Sequence, residues 1–453
     1  MAHMTRPNIL FITTHDTGRH FGCYGNPTVN SPAVDRLAAE GVRFSNCFCA
    51  APKCSPSRAA MMTGRWPQAN GVLGLTHAPH WWEYNPDERH LAAVLREAGY
   101  ATHLFHFQHE TEDLSRLGFD EFHAMPAPHG SDEMPEPYVH RPAAEVAAEF
   151  AAFCGRPQPR PFFVQVGFFE THNPLPFGGN TGDDSCGVTV PAYWADTAPT
   201  REFFRMLQGA VRQVDAAVGV MIEALAANGL DDNTLVVFTV DHGLSYARAK
   251  GTLYDKGLEV ALVMRWPCGG VRGGRICDRL LSNIDVFPTV LELAGIPVPA
   301  NVHGIGSAES ARGEEPRRPP RDAVFGLYQC GPVHRCIRTA RHKLIVSFSG
   351  HRLYDVPVDP KQARTQAGPA VELHDLETDP METHNLAGVP EHAGTRQALL
   401  GRLIEHLRVL NDPILTGPIP DPYYLRAVRE LGLPAGAGKA TAPSPQPQPQ
   451  GRN

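Results

Sequence analysis

Four near-continuous apolar runs, each ending in charged or histidine-bearing residues, constrain this chain most. Asn8–Thr14 ends in His15-Asp16-Thr17-Gly18-Arg19. Residues 101–105 end in His106-Phe107-Gln108-His109-Glu110. Residues 161–168 end in Glu170-Thr171-His172-Asn173-Pro174, and residues 234–239 end in Asp241-His242-Gly243. Such runs are what strands buried on both faces look like. Helical patterns alternate with them. One covers 32–40, with Ser31 as cap, Pro32 in the first turn and Gly41 at the end. Others cover 87–98, opened by Asn85-Pro86, then 142–153, 200–228 and 284–294. This alternation predicts an α/β fold built on a doubly wound, mostly parallel sheet. The polar tips then gather at the carboxyl ends of the strands, where such sheets bind ligands. Strand order is not legible from periodicity.

Residues 42–49 alternate like a strand, and 258–266 read as a further one. Residues 118–139 are rich in proline, histidine and acids and read as loop. The division expected is a catalytic α/β domain over 6–307, a Pro-, Arg- and Glu-rich linker over 308–321, and a smaller α+β subdomain over 322–433. That subdomain has antiparallel strands at 323–328, 336–339 and 344–348 and a helix at 395–410. Residues 434–453, rich in Pro, Gln, Ala and Gly, read as a disordered tail.

A net charge of -7 argues against a nucleic-acid surface, and no polybasic block points to a membrane. No apolar run is long enough for a transmembrane helix. The opening residues, Met1 to Pro7, carry no apolar signal segment, so a native start here predicts a cytoplasmic protein. The ten cysteines are scattered without a C-x-x-C pair, which argues against a structural zinc site and predicts mostly buried thiols.

Cys54 stands apart because of its neighbours, Ala51-Pro52-Lys53-Cys54-Ser55-Pro56-Ser57-Arg58-Ala59-Ala60-Met61-Met62-Thr63-Gly64. A helix over 58–62 would put Cys54 near its N-terminus, where free N–H groups and the positive dipole end attract an anion. Arg58 can lay a guanidinium over the same spot. The C-x-P-x-R spacing of Cys54, Pro56 and Arg58, extended by Ser57, Ala59, Thr63 and Gly64, resembles the signature of the type I sulfatases. These belong to the alkaline phosphatase superfamily. The resemblance covers roughly residues 6–411. Tyr354-Asp355 and the stretch from Glu372 to Leu386 resemble that family's C-terminal subdomain. His15 to Arg19, the cysteine motif, Gly71 to Leu75 and Gln108-His109-Glu110 look most like the heparan N-sulfatase (sulfamidase) branch.

The resemblance implies an alkaline-phosphatase-like fold and hydrolysis of sulfate esters or sulfamates. It implies oxidation of Cys54 to formylglycine by a formylglycine-generating enzyme, and one divalent metal, calcium in the usual case, with manganese or zinc as alternatives. Asp16 and Asp241 match metal ligands of the family pattern. His15 and His242 depart from it, and either ligates or sits beside the metal; imidazole in place of oxygen softens the site. Cys54, as formylglycine, completes the implied metal set. Arg58, His109, His172 and Lys250 match residues that hold sulfate or move protons. The family lysine two positions before His109 is Phe107 here, leaving His106, Arg19 or Arg248 as substitutes. Trp81 and Trp82 are candidates for stacking on a sugar or aryl ring.

A small-molecule or saccharide sulfate is the expected substrate, and homo-oligomerisation stays open. Two alternatives remain. One is a phosphonate monoester or phosphodiester hydrolase with the same nucleophile, which Asp241-His242 favours. The other is a catalytically silent binding protein, which Phe107 favours.

Overall fold

The computed structural model describes residues 6–77, 80–125, 140–245, 248–349, 370–417 and 419–420, with 422 and 425. Its strands, in chain order, begin with β1 (Asn8–Thr14), β2 (Val42–Phe44), β3 (Cys47–Phe48), β4 (Ala101–His106) and β5 (Glu121–His123). β6 (Phe162–Gly167), β7 (Thr234–Val240), β8 (Leu262–Arg265), β9 (Arg275–Cys277) and β10 (Leu281–Ser282) follow. β11 (Ala323–Tyr328), β12 (His334–Thr339), β13 (His342–Ser347) and β14 (Val371–Asp375) complete the set. The large sheet has eight strands in the order β5-β4-β6-β1-β7-β8-β2-β9. From β5 to β7 all neighbours run parallel, with Leu10 of β1 opposite Val164 on one side and Val236 on the other. Every residue of β6 and β7 is buried, as expected of strands covered on both faces by helices.

The parallel core therefore matches the apolar runs, and the tips of β1, β4, β6 and β7 lie at one edge. The periphery differs from the expectation. Residues 258–266 are not one strand: a short helix, Asp255–Leu258, precedes β8, which runs antiparallel to β7. Residues 42–49 split into β2, in the large sheet, and β3, which pairs with β10. Residues 121–123, read as loop, form the edge strand β5, whereas 126–139 lie outside the described residues. The helix expected over 87–98 begins only at Leu91, where the His90 ring accepts from the Ala92 N–H at 3.1 Å.

Helix Pro32–Glu40 starts where expected, but Ser31 does not cap it. The Ser31 hydroxyl accepts from Gly22 and bonds Asp35. The cap is Asp215, on the long helix Ala198–Ala227, whose carboxylate accepts from Ala33 and Val34 at 3.0 and 2.8 Å.

The segment expected as a linker holds a helix, Ala308–Arg312, with Ala308 and Ala311 buried. Arg321 grips Asp285 of the large unit through two nitrogens. β11 to β14 form an antiparallel sheet in chain order. β14 is a strand that the sequence pattern does not announce. Helix Ala393–Val409 packs Leu399, Leu403 and Leu407 onto Ile337, Leu344 and Leu373. Asp412 joins the units, accepting from buried Arg335 at 2.7 and 3.0 Å and from Gln68 at 3.0 Å. Tyr354-Asp355 and the tail from 435 lie outside the described residues. Among the described residues no helix is long and apolar enough to cross a membrane.

His106, at the end of β4, is buried as a neutral ring. It donates from Nδ1 to the Gly167 carbonyl at 3.0 Å and accepts at Nε2 from the Arg141 N–H at 3.2 Å. Burial pushes its pKa down to about 4, against the Gly167 bond and with help from Arg141. The neutral form is thus favoured by folding: the stability is intact above the ordinary value near 6.5 and drains as pH falls towards 4. His106→Gln, which keeps a donor and an acceptor, is expected to remove about 1.4 kcal/mol per pH unit from the slope of unfolding free energy across that window. Urea titrations at pH 7, 6 and 5 measure it.

Candidate active site

Helix Cys54–Thr63 is buried over all ten residues, and Gly64, at φ 65°, ends it in the left-handed region. The side chain of Lys53, its N-cap residue, makes no capping bond. Around that end the chain is fixed by Asn283, which accepts from Ala50 at 3.0 Å and donates to Ser57 at 3.0 Å. The Ser57 hydroxyl donates to the Asp241 carbonyl. Ser55 bonds Thr76, and Gly251 donates to the Pro52 carbonyl at 2.8 Å.

The strand tips meet this helix. Asp16, His106 and His109 take positive φ values of 52°, 65° and 113°, so the chain turns sharply as it leaves the sheet. A non-glycine residue held there costs on the order of 1–3 kcal/mol and marks functional turns. Gly243 is needed for a different reason: a Cβ there would lie 1.9 Å from the Lys256 carbonyl oxygen.

Asp241 is the hub. Its Oδ1 accepts from the Asp16 and His242 N–H groups at 3.0 and 2.8 Å. Its Oδ2 lies 3.2 Å from Arg58 Nε and 2.9 Å from His15 Nδ1. Asp16 takes Lys250 Nζ on both oxygens, at 3.0 and 2.7 Å, and sits 3.1 Å from His242 Nε2. That same His242 nitrogen lies 3.4 Å from Cys54 Sγ, while Nδ1 bonds the Gly243 carbonyl at 2.9 Å. His172 Nε2 approaches Asp16 Oδ2 at 3.9 Å. His109 packs beside His15, with ring centres 6.4 Å apart. All nine residues singled out in the sequence therefore converge.

Opposed charges set the protonation states. Burial raises the Asp16 and Asp241 carboxyls, but Lys250 and His242 beside Asp16, and His242, His15 and Arg58 beside Asp241, outweigh it and hold both low. Burial would lower His242 and His172, yet the carboxylates raise them. Burial holds His109 down at about 4, against the pull of Cys54. The Cys54 thiol, which burial alone would raise, is held well below its ordinary value by Lys250, His242 and the His109 and His15 rings.

The donor set suits a divalent ion. One atom each from His15, Asp16, Cys54 and Asp241 lie within 4.8 Å of one another, all on buried residues, and His242 Nε2 is adjacent. The mixture of nitrogen and oxygen donors admits manganese or zinc as well as calcium.

Phe107 does not leave a gap for a substitute cation. It is buried between His15 and His109, at ring distances of 4.8 and 5.4 Å, and the Arg58 guanidinium lies 5.3 Å from its centre. His106 turns away to Gly167. Arg19 bonds the Cys47 carbonyl and pairs with Glu259. Arg248 bonds the carbonyls of Met381 and Glu382. None of the three takes the missing lysine's place. Trp82 is buried against Gly74 and is not available for stacking.

Sequence reasoning missed the supports. His77 stacks on His109 at 5.1 Å. Gln165, in mid-β6, donates to Glu110 at 3.1 Å, and Glu110 meets His90 at 3.3 Å, which fixes the turn carrying His109. Glu372 accepts from Tyr254, in the loop of Lys250, at 3.0 Å. A glutamine in an apolar strand was the one signal available for this layer.

Comparisons with known proteins bear on this geometry. The family model described as Sulfatase matches residues 7–296, and that described as N-sulphoglucosamine sulphohydrolase, C-terminal, matches residues 243–409. The chain is 26% identical to human N-sulphoglucosamine sulphohydrolase over 470 residues, covering 91% of this chain and 92% of the relative. It is 26% identical over 439 residues to an ulvan-active sulfatase of Formosa agariphila, covering 90% and 81%. In fold it is like the phosphonate monoester hydrolase of Agrobacterium radiobacter, with a TM-score of 0.70 at 22% identity over 89% of this chain and 96% of that one.

The low thiol pKa can be tested on unmodified, chelator-treated protein. Alkylation of Cys54 by iodoacetamide is expected to reach its plateau well below the pH at which an ordinary thiol does. Lys250→Gln removes one stabilising charge and is expected to move the profile to higher pH. Peptide mass spectrometry of alkylation against pH measures both.

Proposed function

Because this chain belongs to the sulfatase family, and is thereby a hydrolase of sulfate esters or sulfamates, we propose that it acts through a formylglycine made from Cys54, on a sulfated saccharide with an amino-sugar N-sulfate preferred. The observation that carries this reading is the position of Cys54 Sγ at the start of a buried helix, 3.4 Å from His242 Nε2, with Lys250 and Arg58 on the two carboxylates beside it. The match of the sulphohydrolase C-terminal model to residues 243–409 supports the N-sulfate preference.

The hydrated aldehyde supplies one oxygen to attack sulfur and a second hydroxyl to expel sulfate afterwards. Asp16, Asp241, His15 and His242, with the group formed from Cys54, are the residues that would hold a divalent ion, which when bound would acidify the attacking hydroxyl and offset charge on the sulfuryl group. Arg58 and Lys250 orient the sulfuryl oxygens and stabilise the charge that develops on them. Lys250 reaches solvent, with its side chain 15% exposed, as does His172 at 28%, so substrate enters on their side. His172, which burial would lower but the Asp16 carboxylate raises, is the group placed to donate a proton to the departing amine or alcohol. His109, held near 4, stays neutral and accepts or orients.

A second reading, phosphonate monoester hydrolysis, is favoured by one feature: the His242 imidazole stands at 3.1 Å from Asp16, within the metal-ligand cluster.

Trypsin releases Cys54-Ser55-Pro56-Ser57-Arg58, and exchange of SH2 for O in its mass reports formylglycine. The modified peptide is expected from the native organism, together with loss of all hydrolysis in Cys54→Ala. An unmodified thiol, or an active Cys54→Ala, overturns the mechanism. Lys250→Ala is expected to lower kcat by about 10²–10³ on every substrate. His172→Ala is expected to cost about 10²–10⁴ on glucosamine N-sulfate and little on an activated aryl sulfate, whose leaving group needs no proton. Phenyl phosphonate turned over faster than either sulfate would favour the second reading.

A further inference from the structure

A second convergence of ligand-type side chains lies away from the strand tips, at the outer edge of the sheet. His103 of β4 pairs in register with Glu121 of β5, and Phe105 pairs with His123. Side chains two apart on a strand share a face, so His103, Glu121 and His123 project together. His103 Nδ1 lies 3.2 Å from His123 Nε2, and Glu121 Oε2 lies 3.6 Å from the first nitrogen and 3.5 Å from the second. Tetrahedral coordination with bonds of about 2.0–2.2 Å gives ligand–ligand edges of about 3.3–3.6 Å. The three atoms thus already form one face of such a tetrahedron.

The surroundings are those of a supported site. The His103 and His123 side chains are only 7% and 12% exposed, while Glu121 faces solvent at 62%, which gives an ion a route in. His123 stacks on Phe105 at 4.2 Å and His103 packs on Phe153 at 4.8 Å, so both rings are held in place. Glu149, on helix Ala143–Cys154, approaches the other nitrogen of His123 at 3.8 Å and is itself fixed by Arg141. A carboxylate behind a ligating imidazole sets its tautomer and strengthens it as a ligand. Burial pushes His103 down to about 4 and lowers His123 too, the direction that leaves ring nitrogens free to ligate.

We propose that His103, Glu121 and His123 form a zinc-binding site, separate from the metal-ligand cluster at Asp16 and Asp241, that fastens edge strand β5 to β4. Two imidazoles and one carboxylate suit zinc better than calcium or magnesium, and the fourth position is left to water. β5 is three residues long, and its hydrogen bonds to β4 alone are a weak tether.

The test compares the mature wild-type enzyme with Glu121→Ala/His123→Ala. Each is stripped with chelator and dialysed against zinc chloride, and bound zinc is counted by plasma mass spectrometry. The wild type is expected to hold one more equivalent than the double variant, with hydrolysis unchanged between them, because neither residue touches the catalytic cluster. Equal zinc content overturns the proposal. Glu121→Ala alone, at an exposed position that leaves the fold intact, is expected to bind that equivalent at least about tenfold more weakly. Cobalt substitution is expected to give a tetrahedral visible band that the double variant lacks, and an identical band in both proteins also overturns it.

Discussion

One carboxylate organises the end of the molecule where the strand tips meet. Asp241 receives N–H groups from Asp16 and from its own neighbour, a guanidinium from Arg58 and an imidazole contact from His15. Its carbonyl takes the Ser57 hydroxyl, and its N–H reaches Thr14. The tip of β1, the tip of β7 and the helix that begins at Cys54 are thereby locked to a single residue with no exposure. The sheet delivers the tips to one edge, but Asp241 brings them within bonding distance. A buried charge of this kind is tolerated only when donors and opposite charge surround it, and here two backbone N–H groups and the Arg58 guanidinium do so. The same constraint explains why basic groups are as numerous as acidic ones at the centre: Lys250 does for Asp16 what Arg58 does for Asp241.

The core of the fold was legible because its signal is local. A strand covered on both faces must be apolar along its length, and β1, β6 and β7 read that way directly. The residues of the candidate site are legible because each follows such a strand or belongs to the Cys54 motif. What failed was non-local. Ser31 looks like a cap, yet the cap is Asp215, far along the chain on another helix. β14 carries Glu372 and His374 within an acidic stretch, and its identity as a strand comes only from pairing with β13. β8 reads as longer than it is because the residues flanking it, Val260, Ala261 and Trp266, are apolar and buried. The fate of Phe107 is beyond reach, since no residue type announces that an arginine on an earlier helix will pack over its ring.

The smaller unit is more than an appendage to the sheet. Lys343 of β13 is buried between Asp255 and Glu382, at 2.5 and 2.9 Å, and Arg338 adds a second cation to Asp255. Asp255 opens the short helix that follows the Lys250 loop, and Arg248, two residues before Lys250, hangs from the backbone at 381–382. The loop is thus gripped at both ends by residues of the C-terminal unit, β12 and β13 at Asp255 and the turn after β14 at Arg248. The position of the Lys250 ammonium is set as much by β13 and β14 as by β7.

This division of labour has a consequence in time. Synthesis runs from the amino end, so Cys54 leaves the ribosome long before the strands that hold the Lys250 loop exist. Until residues 343 and 382 arrive, the contacts that hold Asp255 and Arg248 cannot form, and the Lys250 loop beside Cys54 lacks that support. The order of the chain therefore leaves an interval in which the cysteine is reachable. Docking of the last sheet closes it.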